Sequence, residues 1–442
     1  MNTPAHKRLR LLAHQRDSVA FALPRRACYL GLDPGLGKTA TAACILASWV
    51  LPSVYITPPF LVRNIEAEFQ KWAPYLSLLV WAPKVFDFTG VDVLIVPDSY
   101  LDHPRLVPFV LDYLAARPGA LVVDEAHRFK EPKSKRTRAL FSKLAPLFYR
   151  RVYMSGTPMP NRPMELYTVL SNEAPDTIEY MSVFDFGRKY CAGFRGRFGW
   201  DFSGASNMRE LQWRVRGMRW PFMLRLRKEL LNLPPITEEL FILSDDMSPK
   251  LAAMDLAVKT ALGDKGRTKL KERIALAENK TPEALHTATY RRLVGMEKVR
   301  PSAEYVNAVL SDSRENILLF AYHVEVIAAL AVALKKWKPL IITGSTPVKK
   351  RHDLVNTFQT TNARLFIGNY HAMGVGFTLT KANRVMLVEF DWVPGVNDQA
   401  GGRAHRIGQD KSVLVQYFVY KNSVDKSMIE AILKKRSAIE HI

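Results

Sequence analysis

The chain has 442 residues, of which 48% are hydrophobic and 24% charged, with 27 scattered prolines; this is a globular composition too long for one ordinary core, and two or three compact units are expected. Its 63 Lys and Arg against 42 Asp and Glu leave a formal charge of +21, which disfavours basic partners and points to a polyanion, nucleic acid first. Three cysteines without metal-ligand spacing argue against a disulfide framework and a zinc site, and no apolar run approaches membrane-spanning length, so a soluble, intracellular protein is expected.

Short apolar runs alternate with helical patterns: ACYLGL (27–32), SVYIT (53–57), VDVLIV (91–96), ALVV (120–123) and RVYM (151–154). After a long gap the pattern resumes with NILLF (316–320), PLIIT (339–343), ARLFIG (363–368), RVMLVEF (384–390) and VLVQYFVY (413–420). Strands this apolar need helices on both faces, so the fold class is α/β with two parallel-sheet lobes. The expected domains are a first lobe over residues 1–170, a mainly helical and basic insertion or linker over 171–310, and a second lobe over 311–442. Leu233-Pro234-Pro235 is a plausible crossing between lobes, since successive prolines stop a helix and stiffen the chain.

Directly after the first predicted strand comes DPGLGKTATAACILASW (33–49). Gly35 and Gly37 permit a tight turn and Lys38-Thr39 opens a helix, the context of a phosphate cradle in which Asp33, Gly35, Leu36, Gly37, Lys38 and Thr39 surround the anion with backbone N–H groups of the turn and helix N-terminus. Lys38 then reaches the β and γ groups and Thr39 offers a hydroxyl to Mg²⁺, so ATP and Mg²⁺ are the expected ligands. The fourth predicted strand ends in Asp124-Glu125-Ala126-His127, a carboxylate pair at the edge where parallel sheets bind ligands. Asp124 is expected to hold Mg²⁺ and Glu125 to orient and deprotonate the attacking water. His127 is weighed equally between a structural hydrogen bond and a role in coupling.

With the lysine cradle and the DEAH tetrapeptide in order, the chain resembles a superfamily 2 helicase, and its later motifs resemble those of the Swi/Snf-related DNA translocases. The resemblance implies two RecA-like lobes with the ATP site in the cleft between them. LLAHQRDSVAFAL (11–23) is similar to the family's opening motif, which makes Gln15 the reader of the adenine edge, and MSGTPMPNRPMELY (154–167) resembles the motif that couples hydrolysis to movement through Ser155, Gly156 and Thr157. HAMGVGFTLTKANRV (371–385) resembles the motif that brings Gly374 and Gly376 near nucleotide and DNA. QAGGRAHRIGQ (399–409) resembles the motif in which Gln399, Arg403 and Arg406 serve the γ-phosphate, and its HRIGQ ending favours DNA translocases over RNA helicases. FDFGRKYCAGF (184–194), MLRLRKELLNLPP (223–235) and EFDWVPGVNDQA (389–400) resemble the annealing-helicase and fork-remodelling subgroup. Asp33-Pro34 departs from the acidic pair with Met that is commoner in the cradle, and no chromatin-reading or DNA-docking accessory stretch is seen.

Residues 188–228 hold eleven Lys or Arg against Asp201 and Glu210, interleaved with aromatics, as a surface that tracks a phosphate backbone would. Arg188, Lys189, Arg195 and Arg197 are the candidate DNA contacts there, with Lys133 and Lys135 in KSKRTR (133–138) as a second set; Trp213, Trp220 and Phe222 fall in a helical pattern and are expected in the core. Together these features predict an ATP-dependent, sequence-nonspecific motor on DNA, duplex favoured. The alternatives are a strand-separating helicase on single-stranded DNA and a nucleotide-switched DNA-binding subunit with little turnover.

Overall fold

Each of the apolar runs forms a strand. In the computed structural model these are β1 Ala27–Leu32, β2 Ser53–Thr57, β3 Leu78–Val80, β4 Val93–Pro97, β5 Ala120–Val123 and β6 Arg150–Ser155, then the short pair β7 Phe194–Gly196 and β8 Gly199–Asp201, β9 Met223–Leu226, β10 Ile236–Ile242, β11 Ile317–Ala321, β12 Leu340–Ile342, β13 Leu365–Asn369, β14 Arg384–Leu387 and β15 Val413–Val419. The structure describes residues 10–196, 199–217, 219–243, 247–262, 282–373, 377–391, 393–421 and 423–439. The chain divides into two compact units, one taking the described residues up to Ala192 and the segment Ala205–Leu230, the other the remainder.

The first unit carries a seven-stranded sheet in the order β3-β4-β2-β5-β6-β1-β9, parallel throughout. Its central strands are buried along their whole length because helices such as α1 (Ala13–Ala22) and α2 (Lys38–Trp49) accompany them. The second unit carries a six-stranded parallel sheet, β10-β15-β14-β11-β13-β12. Strand alternation divides its core between two faces. Leu318, Phe320 and Phe366 point into one cluster, and Ile317, Leu319, Leu365 and Ile367 into the other.

The described residues of 171–310 include strands as well as helices. β9 pairs with β1 at the edge of the first sheet and β10 with β15 at the edge of the second, so the segment supplies a strand to each. Both are edge strands, and their polar residues (Arg225; Glu238 and Glu239) are tolerated because one flank faces no neighbouring strand. That same polarity disguises them in sequence. Trp213 and Trp220 also depart from expectation: they are 57% and 72% exposed, while Phe222 is buried.

One buried ion pair ties the second unit together. Lys298, 1% exposed in the helix Pro282–Asp312, donates to the Val388 carbonyl at 3.1 Å and the Phe418 carbonyl at 2.6 Å and pairs with Asp425. Burial raises the Asp425 carboxyl and the Lys298 ammonium lowers it. Removing one partner strands the other charge in low dielectric, so Lys298→Ala is expected to cost about 3–5 kcal/mol in a urea titration, and Lys298→Ala with Asp425→Asn less than that; a loss below 1 kcal/mol would show that water reaches the pair.

Candidate nucleotide site

The site grows from one turn. β1 ends at Leu32 and α2 begins at Lys38; between them Gly35 (φ 99°) and Gly37 (φ 78°) take left-handed conformations that side chains resist. A Cβ at Gly37 would displace the end of the Gln15 side chain, so a substitution there would disturb Gln15 as well as the backbone. The turn is held from behind: the Leu36 carbonyl accepts from Gln15 Nε2 at 3.2 Å and lies 3.0 Å from His14 Nε2, while Gln15 Oε1 accepts the Leu12 N–H at 2.9 Å. Each amide group of Gln15 keeps a second valence, which an adenine edge can use. α2 then directs its N-terminal amides at the turn. Lys38 Nζ crosses back to the Leu32 carbonyl at 3.2 Å.

Asp33 sits differently from the other cradle residues. Its carboxylate pairs with Arg225 at 2.6 Å and accepts the Lys228 N–H at 3.1 Å, so it fastens β9 to the turn. In a phosphate cradle a carboxylate so paired would position the backbone, since one facing phosphate would be repelled.

Parallel β5 ends beside β1's neighbour β6, which delivers Asp124 and Glu125 to the same sheet edge as the turn. Asp124 is buried; burial, reinforced by the Glu125 carboxylate and opposed by Lys38, pushes it up to about 7. The Tyr55 phenol of β2 lies against both Asp124 and Thr39, and burial raises it well above its ordinary value, so it stays protonated. In sequence Tyr55 reads only as a core residue of SVYIT. Glu125 adopts φ 49°, a strained conformation for a side-chain-bearing residue, with its N–H donating to Asp124 Oδ1 at 2.9 Å.

A polar chain leads away from Glu125. Its Oε2 lies 3.3 Å from His127 Nδ1, which is 2.8 Å from Ser155 Oγ, and Ser155 Oγ accepts the Thr157 N–H at 3.0 Å. Gly156 is the close-approach point: a Cβ there would meet Pro34 at 2.8 Å and Lys38 Nζ at 3.2 Å. Gln15, Lys38, Thr39, Asp124, Glu125, His127 and Ser155 through Thr157 therefore gather at one edge of one sheet.

In the second unit the helix Pro394–Ala404 carries Gln399 and Arg403 one turn apart on one face. Arg403 is buried and donates to the Phe377 carbonyl at 3.2 Å; Arg406 donates to the Gly402 carbonyl at 2.7 Å and reaches Thr378 Oγ1 at 3.4 Å. Gln409 is a structural tie, its Nε2 donating to the Thr380, Ala382 and Ala404 carbonyls, a role that the motif alone does not reveal. Gly374 and Gly376 lie outside the described residues, as does Arg197. Of the remaining candidate DNA contacts, Arg188, Arg195, Lys133 and Lys135 are exposed, whereas Lys189 pairs with Glu210 at 2.7 Å.

Asp124 gives the site a pH signature. Its folded value of about 7 exceeds the unfolded value of about 4, so in that window the nucleotide-free folded protein holds a proton that the unfolded chain releases, and this group costs stability as pH rises. Asp124→Asn is expected to stabilise the nucleotide-free protein at pH 8, on the order of 2–4 kcal/mol, and to change little at pH 4. Thermal unfolding at both values checks this; equal effects would mean that the carboxyl titrates normally.

A family model described as an SNF2-related domain matches residues 14–250, more than half the chain, and one described as a helicase conserved C-terminal domain matches residues 300–408. The SWI/SNF-related matrix-associated actin-dependent regulator of chromatin subfamily A-like protein 1 of Xenopus tropicalis is 32% identical over 438 residues, 96% of this chain and 44% of that protein. The DNA annealing helicase and endonuclease ZRANB3 of Mus musculus is 28% identical over 456 residues, 99% of this chain and 41% of that protein. The chain thus spans less than half the length of these relatives. Among solved structures, the Sulfolobus solfataricus SWI2/SNF2 ATPase core in complex with dsDNA is similar at 20% identity and a TM-score of 0.45, covering 99% of this chain and 94% of that one. From its first-unit motifs through its C-terminal helicase domain, this chain belongs to the SNF2-related family.

Proposed function

We propose that the chain is an ATP-dependent motor that moves on double-stranded DNA and remodels DNA structures or displaces bound proteins. The observation that carries this reading is the meeting of the Lys38 turn, the buried Asp124 and the strained Glu125 at one sheet edge in a member of the SNF2-related family. A relative named as a DNA annealing helicase supports DNA as the substrate, and the formal charge of +21 agrees with it.

In this reading the turn and the N-terminus of α2 hold the phosphates, Lys38 offsets the charge on the β and γ groups, and Gln15 reads the adenine edge. Asp124 and Thr39 would hold Mg²⁺, and a single carboxylate with a hydroxyl suits it because that ion takes most of its remaining ligands from phosphate and water. Bound there, it would neutralise charge on the β- and γ-phosphate oxygens. Glu125 takes the proton of the attacking water as its oxygen bonds to the γ-phosphorus and the bond to the bridging oxygen breaks, releasing ADP and phosphate. Gln399, Arg403 and Arg406 are the polar and guanidinium groups assigned to the transferring phosphate, and Gly376 is assigned to nucleotide binding. The route from Glu125 through His127 and Ser155 to Thr157 carries the change in nucleotide state into the fold. Arg188, Lys189, Arg195, Arg197, Lys133 and Lys135 serve the phosphate backbone.

Steady-state ATPase activity measured with no nucleic acid, duplex DNA, single-stranded DNA and RNA tests the proposal. Duplex DNA is expected to stimulate most, and Glu125→Gln to lower the stimulated rate by about a hundredfold or more. Stimulation only by single strands would favour the strand-separating alternative, and binding without turnover the nucleotide-switched one. Lys133→Ala with Lys135→Ala is expected to reduce the slope of log affinity against log salt by about 2, without changing sequence preference; an unchanged slope would remove these lysines from the interface.

A further inference from the structure

The opposite edge of the first sheet carries a surface that the nucleotide site does not use. Arg25 and Arg26 immediately precede β1, Arg150 opens β6, and Trp49 and Val50 end α2, so all five lie at the start of the parallel strands, whereas the cradle and Asp124 lie at their ends. A strand of six residues separates the two edges by about 20 Å.

Pairwise contacts join this surface into one patch. The Arg25 guanidinium lies 3.7 Å from the Phe21 ring centroid and 5.7 Å from that of Trp220, and it donates to the Pro221 carbonyl. Arg150 donates to the Leu23 and Arg25 carbonyls and lies 5.8 Å from the Trp49 ring and 5.3 Å from the Tyr149 ring, and Arg26 lies 5.9 Å from the Tyr149 ring. Trp220 is 72% exposed, Tyr149 52% and Val50 84%. Among the described residues, no ion pair joins Arg25, Arg26, Arg150 or Arg219 to a carboxylate.

We propose that this patch is a second nucleic-acid surface and that it takes an unpaired strand. Exposed indole and phenol rings offer stacking faces, which only unpaired bases can use, because a duplex keeps its base faces stacked inside. The interleaved guanidiniums match phosphate oxygens in fork geometry and carry no compensating acid. An acidic peptide would satisfy the arginines and leave the aromatic faces without a planar partner. The patch is built from segments around residues 21–26, 49–50, 149–150 and 219–221, which explains why no single run of sequence announces it.

The experiment is fluorescence anisotropy of the full chain, without ATP, on labelled oligo(dT) of about 20 nucleotides and on a blunt duplex of equal length. Trp220→Ala with Tyr149→Ala is expected to weaken oligo(dT) binding about tenfold or more and duplex binding less than about twofold, and the corresponding Phe pair to restore it. Arg26→Ala with Arg219→Ala is expected to weaken oligo(dT) binding and to lower its salt slope. Thermal unfolding of each variant confirms that it folds, as the exposure of these side chains leads one to expect. Equal losses for duplex and oligo(dT), or no loss for either, would overturn the proposal. So would polyglutamate competing as well as unlabelled oligo(dT) while depending on the same rings, which would mark an acidic-peptide site. Repeating the series in a Lys38→Ala background separates this surface from the ATPase: the losses should be the same with hydrolysis silenced, whatever becomes of the motor reading.

Discussion

A parallel sheet brings the ends of all its strands to one edge, and every connection must cross a face to reach the start of the next strand. That constraint organises this protein. It obliges the central strands to be apolar on both sides, and it delivers whatever follows β1, β5 and β6 to a common rim. Residues more than a hundred positions apart, Lys38 and Gly156 among them, become close neighbours. The chemistry of the nucleotide site follows from topology before any individual side chain is considered.

The rim is also where the structure accepts unfavourable local states. Glu125 is held at positive φ, Asp124 is buried with a neighbouring carboxylate, and the turn depends on two left-handed glycines. None of these stabilises the nucleotide-free protein. In the proposed reading, a divalent cation bound with phosphate would offset the cost of the buried carboxylates. The second unit shows the contrasting use of polar burial, with Lys298 and Gln409 satisfied by backbone carbonyls and positions fixed for good.

The segment Ala205–Leu230 connects these themes. Through the Arg225–Asp33 pair it is anchored to the cradle, and through Pro221 and Trp220 it reaches the far edge of the same sheet. The turn and the aromatic patch are therefore joined structurally by one short strand, β9, in register with β1. The departure of Asp33-Pro34 from the commoner acidic pair acquires a physical meaning here, because the one carboxylate that remains is the anchor.

The sequence by itself determined the apolar strands, the order of the two sheets and the candidates for a nucleotide rim. Apolar runs bounded by turn residues and a glycine-lysine turn after a strand depend on local chemistry, and local chemistry is readable along the chain. What tertiary structure alone decided was pairing and exposure. β9 and β10 look like parts of a basic helical stretch because edge strands tolerate Arg and Glu; Tyr55 looks like core until β5 is placed beside it. Trp213 and Trp220 fit a buried pattern and are exposed, and Gln409 looks like a functional motif residue and is a tie between carbonyls. In each case the deciding quantity is which distant segment lies across the gap, and burial, ion pairing and stacking are properties of that pair, absent from either partner's sequence neighbourhood.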